Sequence, residues 1–251
     1  MQILTEKFYK EYCEKIGSDL EQRYGAMKKN LKSSDFEYLI EASSVYSSNI
    51  EGNPMDLNSF MNTKEFKEKS RPKEFKEIKE LAQAYEYAKK NDLTEKHLLK
   101  IHEILSKSFL IESKRGKYRK EKVGVFGVSG LVYLAIEPEF VEKEMQKLFS
   151  DVKILLNKKL SIEKVFYYAA FIHLTFAHIH PFMDGNGRAA RILEKWFLAK
   201  CLYDSAWIMQ TEKYYKENLQ DYYKNINLGA NYYEIDYSKG MLFLLMLQKQ
   251  L

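Results

Sequence analysis

Cysteine is nearly absent from this chain. Cys13 and Cys201 are the only two in 251 residues; they lie far apart, in helical contexts. Two packed thiols in a reducing compartment are expected rather than a disulfide. Proline is scarcer than in most globular chains at four, and glycine stands at 11. The opening residues, Met1 to Lys7, lack the apolar stretch of a signal peptide. No hydrophobic run approaches a bilayer span. The segment Met241 to Leu247 is apolar but only about two helical turns long, and it reads as a packed terminal segment. Charge of one sign is missing as well: 40 basic against 35 acidic residues leave +5, with no dense Lys/Arg block or aromatic-interleaved basic stripe. Nucleic acid and membrane are therefore not indicated as partners, and a cytoplasmic location is expected.

What remains is dominated by apolar residues at helical spacing. The expected helices run over residues 5–16 and 18–31, then 35–51, capped by Ser33 or Ser34 and stopped by Gly52 with Pro54 beyond. A short helix near 56–62 precedes a Lys/Glu-rich solvated stretch over 65–71. Phe75, Ile78, Leu81, Ala82, Tyr85 and Ala88 mark a long helix over 73–90, and Leu93-Thr94 begins the next. His102, on that helix's apolar side, reads as a packed residue, since nothing nearby completes a site. Further helices follow over 138–156, with Pro138 at the first position, and over 161–177. The latter is apolar enough to be the central buried helix. The remaining helices are expected after residue 188, over 211–226 and over 236–250.

One stretch breaks the pattern. Between Gly116 and Pro138, glycines alternate with β-branched residues, and Ser129-Gly130 makes a plausible turn, so a β-hairpin is expected. A lone hairpin is marginal by itself and must lie on the helical body. There it serves as structural cover, a lid or a docking edge.

The chemistry is concentrated in His180-Pro-Phe-Met-Asp-Gly-Asn-Gly-Arg-Ala-Ala-Arg191. Gly185-Asn186-Gly187 at a helix start leaves unpaired N–H groups and a positive dipole end open to an anion. Arg188 adds a forked phosphate contact and Arg191, one turn on, reaches another. Asp184 would repel a bare phosphate, which argues for a divalent ion between them, with Mg²⁺ the candidate. His180 suits proton abstraction from an attacking hydroxyl. The bland alternative is a capped turn between core helices with salt-bridged arginines.

These residues match H-x-F-x-D-G-N-G-R-x-x-R at every fixed position, and the chain thereby resembles the Fic (filamentation induced by cAMP) family. Leu99 to Leu105, Gly116-Lys117-Tyr118-Arg119, the hairpin and His173 to Ile179 extend the resemblance over roughly residues 90–230. It implies an all-α Fic fold, a helical bundle around a central buried helix with a β-hairpin flap. The corresponding parts are an N-terminal helical region (1–90), a Fic core (91–230) with flap (about 116–137) and catalytic loop (180–191), and a packed C-terminal helix (231–251). It further implies protein adenylyltransfer: AMP passes from ATP to a Ser, Thr or Tyr hydroxyl of a target protein docked on the flap. His180 would be the base and Asp184 the Mg²⁺ ligand. Gly185, Asn186, Gly187, Arg188, Ala189, Ala190 and Arg191 would line the phosphates. Leu131, Val132 and Tyr133 would face the nucleotide from the flap, and Tyr222, Tyr223 and Asn231 the adenine. His173 and His178 would serve packing and loop support.

Ser47-Ser48-Asn49-Ile50-Glu51-Gly52 fits the S/T-x-x-x-E-G/N pattern of the family's inhibitory helix. Ser47 and Glu51 share one helix face. A carboxylate at a helix C-terminus gains by finding a cation, and the implied partner is Arg191. Alternatives to AMP transfer are its removal by a water that Glu51 activates, a phosphotransfer of the Doc type, and a non-catalytic adaptor. Oligomeric state is left open.

Overall fold

The computed structural model describes residues 4–29, 36–66, 72–127 and 130–251. Ser33, Ser34, Ser129 and residues 67–71 of the expected solvated stretch lie outside them. The helices are α1 (Tyr9–Ile16), α2 (Leu20–Lys29), α3 (Phe36–Ile50), α4 (Leu57–Phe66), α5 (Pro72–Lys90), α6 (Glu95–Leu105), α7 (Pro138–Leu156), α8 (Ile162–Ile179), α9 (Asn186–Leu202), α10 (Thr211–Glu217), α11 (Leu219–Ile226) and α12 (Met241–Leu244). The only sheet among the described residues is an antiparallel hairpin, β1 (Gly124–Gly127) and β2 (Gly130–Leu134). The fold is all-α with a hairpin flap.

The central helix is α8. From Val165 to Phe176 every side chain is buried, because the run Val-Phe-Tyr-Tyr-Ala-Ala-Phe-Ile is apolar on all faces and so must be surrounded. Ser161 caps its start by accepting from Lys164 N at 3.4 Å. Residues 180–185 join it to α9, and this pair packs more extensively than any other. Helices α1 and α2 cover one flank of α8, and α7 another. Thr94 caps α6 through His97 N, and Pro138 opens α7, both at the expected positions.

Helix α3 lies across α5 and α10 and touches α9. It ends in a Schellman motif: Gly52 N bonds Asn49 O and Asn53 N bonds Ser48 O. Gly52, with φ +91°, takes the left-handed position that the motif requires. This leaves Glu51 as the last residue before the turn.

Two expected helices differ. Residues 211–226 form α10 and α11, separated at Asn218, whose ψ of 42° leaves the helical region. Its side-chain amide donates to Tyr214 O at 2.9 Å, a local bond that competes with helix continuation. Residues 236–250 form two 3₁₀ turns around the four-residue α12. Met241, Phe243, Leu244, Met246 and Leu247 are all buried, and the tighter turns distribute them over two separate apolar clusters. Among the described residues no helix is long and apolar enough to cross a membrane.

The hairpin is shorter than expected. A bulge between Val125 and Phe126 shifts its register. It is tied down at its base, where Leu134 N bonds Ala230 O and the Tyr133 hydroxyl donates to His178 O at 2.6 Å. Phe126 and Leu131, nearer the tip, remain exposed.

Candidate active site

The site starts where α8 stops. Pro181 cannot continue a helix and disfavours helical geometry in the residue before it. His180 accordingly turns left-handed at φ 52° and ψ 58°, a conformation that costs a non-glycine residue about 1–3 kcal/mol. Arg119 holds it there. Its backbone N–H donates to Pro181 O (2.9 Å), and its buried side chain donates to His180 O (2.7 Å), Ile136 O (2.5 Å) and Glu121 O (2.9 Å). One guanidinium thus ties the loop to both ends of the hairpin segment.

The imidazole of His180 is oriented through Nδ1, 3.1 Å from Ala177 O. A carbonyl only accepts, so Nδ1 carries the proton and Nε2 presents its lone pair. Burial pushes the His180 pKa down, and the nearby Arg119 charge adds to this. Both effects favour the neutral ring, the form able to accept a proton.

Phe182 anchors the loop from below. It is fully buried and stacks on His102 at 3.6 Å, nearly parallel. The His102 ring itself bridges two backbones, with Nδ1 accepting from Gly116 N (3.0 Å) and Nε2 donating to Asp184 O (2.9 Å). Asn186 closes the turn with paired bonds, accepting from Phe182 N (2.8 Å) and donating to Phe182 O (2.9 Å). Gly185, at φ +81°, precedes α9 in the left-handed region. Helix α9 therefore starts from a rigid, self-bonded loop, with Gly187 in its first turn.

Both arginines are buried but engaged differently. Arg188 lies over the Phe109 ring at 3.8 Å, a cation–π contact. Its nearest carboxylates, Asp184 and Glu77, stand at 3.8 and 4.0 Å, and its Nε has no hydrogen-bond partner among the described residues. A buried, unpaired guanidinium N–H is costly unless an anion completes it. Arg191 commits four of its five N–H donors. Nε donates to Ser47 Oγ (2.8 Å), Nη2 to Ser47 O (3.0 Å) and Glu51 Oε1 (2.6 Å), and Nη1 to the Tyr222 hydroxyl (3.2 Å). Burial alone would raise the Glu51 pKa, but Arg191 and Arg188 outweigh it and hold the carboxyl below its ordinary value.

Glu51 also lies directly over Gly187. A methyl group on Gly187 would collide with Glu51 Oε1 and come within 3.1 Å of Arg191 Nη1. A carboxylate thus sits beside the N-terminus of α9, where an anion is favoured. Asp184, more than half exposed, offers a hard oxygen ligand at the rim. Among the described residues no three His, Cys, Asp or Glu side chains form a metal cage. The donor set fits Mg²⁺, which binds through one or two carboxylates plus substrate phosphates and waters.

Residues 92–198 match the Fic/DOC family, and the structure is similar to that of a Fic family protein from Desulfovibrio desulfuricans, with TM-score 0.76 and 25% identity over 92% of this chain and 71% of that one. Residues 92–198 thus carry a domain of the Fic/DOC family. Two curated relatives, each called Protein adenylyltransferase Fic, come from Nematostella vectensis (30% identical, 83% of this chain and 46% of the relative) and Culex quinquefasciatus (31%, 81% and 40%). The chain thus spans less than half the length of these relatives. A Fic domain-containing protein from Bacteroides thetaiotaomicron shares the fold at TM-score 0.76 and 22% identity, covering 92% of both chains.

The other residues expected at the Fic nucleotide site scatter in their roles. Ala189 and Ala190 are fully buried on α9. Leu131 is exposed and Val132 half-buried on the flap, while Tyr133 points into the body to reach His178 O. Tyr223 is half-exposed and donates to Ile50 O at 2.8 Å, at the end of α3. Tyr222 is buried, with its hydroxyl on Arg191. The Asn231 side chain accepts from Tyr233 N and Glu234 N, capping a short turn. Sequence reasoning missed three contributors. His102, read as a packed residue with nothing near it, carries Phe182 and Asp184. Arg119, quoted only within a resembling segment, clamps His180. Glu77 stands opposite Arg188. Their partners are remote in sequence, 82 residues away for His102 and 61 for Arg119, so no local spacing marks them.

Proposed function

We propose that this chain is a protein adenylyltransferase, moving AMP from ATP to a Ser, Thr or Tyr hydroxyl of a protein, and that Glu51 holds it idle. One observation carries the reading: an anion-ready loop, with a proton acceptor aimed outward at His180 Nε2, has its second arginine occupied by Glu51. The names of the relatives support the reaction class.

The target hydroxyl oxygen attacks the α-phosphorus of ATP, forming the phosphodiester bond. The bond to the α–β bridging oxygen breaks, and pyrophosphate leaves. The hydroxyl proton passes to His180 Nε2. The N–H groups of the α9 start and the spare Arg188 N–H meet the phosphate chain, so the rate comes from positioning and preorganised charge. Asp184 would hold Mg²⁺, which neutralises phosphate charge when bound. The hairpin is the docking edge for the target segment. ATP and a protein target are the partners, and a cytoplasmic setting accords with the scarce cysteine.

With Glu51 in place, Arg191 is unavailable to the terminal phosphate, so ATP binds askew or not at all. Hydrolytic removal of AMP from a modified protein, with Glu51 drawing a proton from water, is disfavoured in this arrangement. A carboxyl held below its ordinary pKa by two guanidiniums is a poor base at neutral pH.

The test is transfer of label from α-labelled ATP to the chain itself. Glu51→Gly should label strongly, wild type weakly, and Glu51→Gly/His180→Ala not at all. Equal labelling of wild type and Glu51→Gly removes the brake. Labelling that survives His180→Ala removes the proposed base.

A further inference from the structure

From Arg191 Nη1 runs a buried polar chain that none of the roles above requires. Tyr222 receives Arg191 Nη1 at 3.2 Å and meets His173 Nε2 at 3.0 Å. His173 Nδ1 meets Glu194 Oε2 at 2.8 Å, and the Tyr215 hydroxyl donates to the same carboxylate at 3.0 Å. The five residues come from α8, α9, α10 and α11, and none exceeds 2% exposure.

For a neutral imidazole the ends of this chain set every direction within it. A guanidinium only donates, and a carboxylate only accepts. His173 Nδ1–H therefore donates to Glu194, leaving Nε2 as acceptor. The Tyr222 O–H donates to Nε2, and its remaining lone pair faces the Arg191 N–H. The phenol cannot rotate away without leaving a buried nitrogen unpaired. Burying a carboxylate, an imidazole and two phenols does not by itself favour folding over an apolar set of similar volume. What this set does achieve is to fix one hydroxyl oxygen against one N–H of Arg191.

The four hydrogen bonds of Arg191 then divide by origin. Three go to α3 and the residue that follows it, at Ser47 Oγ, Ser47 O and Glu51; the fourth goes to the core, at Tyr222. When a phosphate displaces Glu51, the Tyr222 bond is the one that does not depend on α3.

We infer that Tyr222, oriented by His173 and Glu194, is a positioning residue that keeps the Arg191 guanidinium aimed at the terminal phosphate of a nucleoside triphosphate and so sets the preference for triphosphate over diphosphate. This rests on the reading above that Arg191 receives that phosphate. It gives Tyr222 a job distinct from touching adenine.

The test measures Kd for ATP and for ADP, both with Mg²⁺, on the full chain carrying Glu51→Gly/His180→Ala to stop turnover. This parent should bind ATP tighter than ADP. Adding Tyr222→Phe removes the hydroxyl but keeps the ring packed on Tyr215 and Phe243; it should weaken ATP about 10-fold while changing ADP less than about 2-fold. Tyr215→Phe removes a phenol from the same carboxylate without touching Arg191, and should leave the ATP-to-ADP ratio unchanged. A merely structural role predicts equal losses for both nucleotides and from both phenols, and that result overturns the inference. So does an unchanged ratio in Tyr222→Phe. A parent with no preference for ATP overturns the underlying role of Arg191 as well. Should Tyr222→Phe not fold, Glu194→Gln weakens the hold on His173 and should shrink the ratio about 3-fold; no change there is equally decisive.

Discussion

Arg119→Lys keeps the charge at the base of the loop after α8 and removes the fork. In the structure the guanidinium serves His180 O, Ile136 O and Glu121 O, at 2.5–2.9 Å, from a position 3% exposed. An ammonium on a flexible stem cannot reach three carbonyls that face different edges of a plane. At least two buried acceptors lose their partner, each worth about 1–3 kcal/mol, and partial repair by the ammonium or water leaves a net loss of about 2–4 kcal/mol. The consequence for chemistry is larger than for stability. His180 is held left-handed against its own preference, so a loosened clamp lets the loop relax and Nε2 swing from its aim. Displacements near 1 Å at a reacting group can lower rates by about 100-fold. Urea denaturation followed by circular dichroism gives the first number, and label transfer in the Glu51→Gly background gives the second. A lysine variant within about 0.5 kcal/mol of its parent, labelling at the parental rate, would refute the clamp.

Two further perturbations probe the same frame. His102 and His178 are both pushed down to about 4 by burial, against about 6.5 when unfolded. Between those values the unfolded chain binds more protons, so stability is complete above about pH 6.5 and falls towards pH 4, by up to about 3 kcal/mol for each ring. Imidazole NMR titration should find the His102 and His178 rings still neutral at pH 5; either ring titrating near 6.5 would contradict its buried contacts. Gly187→Ala places a methyl group against Glu51 Oε1. It should cost about 1–2 kcal/mol in the wild type, yet be neutral or stabilising by up to about 1 kcal/mol beside Glu51→Gly, where the helix gains alanine without the clash. Additive effects in a double-mutant cycle would place Glu51 elsewhere.

The parts of the site that were legible in the sequence are those whose physics is local. Pro181 stops α8, Gly185 turns the chain, and Gly187 leaves room at the start of α9; all three can be read within the twelve residues of the loop. Gly52 after Glu51 announces a helix end, and the position of that end follows from its left-handed turn. The hairpin was visible because period-two alternation interrupts a helical chain. What escaped depends on where distant elements meet. No spacing predicts that His102 stacks on Phe182 or that Arg119 serves carbonyls of both α8 and the hairpin segment. The same holds for the two late segments. Residues 211–226 carry a continuous helical pattern, and only the Asn218 side chain, bonding back to Tyr214 O, breaks it. Residues 236–250 are apolar on too many faces for one helix side to bury, and the packing available around α8 decides their turns.

The most direct test of the whole account is intact-mass spectrometry of the Glu51→Gly chain after incubation with ATP and Mg²⁺. A gain of one or more AMP units, absent in Glu51→Gly/His180→Ala, is the predicted result. A gain of phosphate in its place, or an unchanged mass in the presence of a candidate target that is also unmodified, would contradict it.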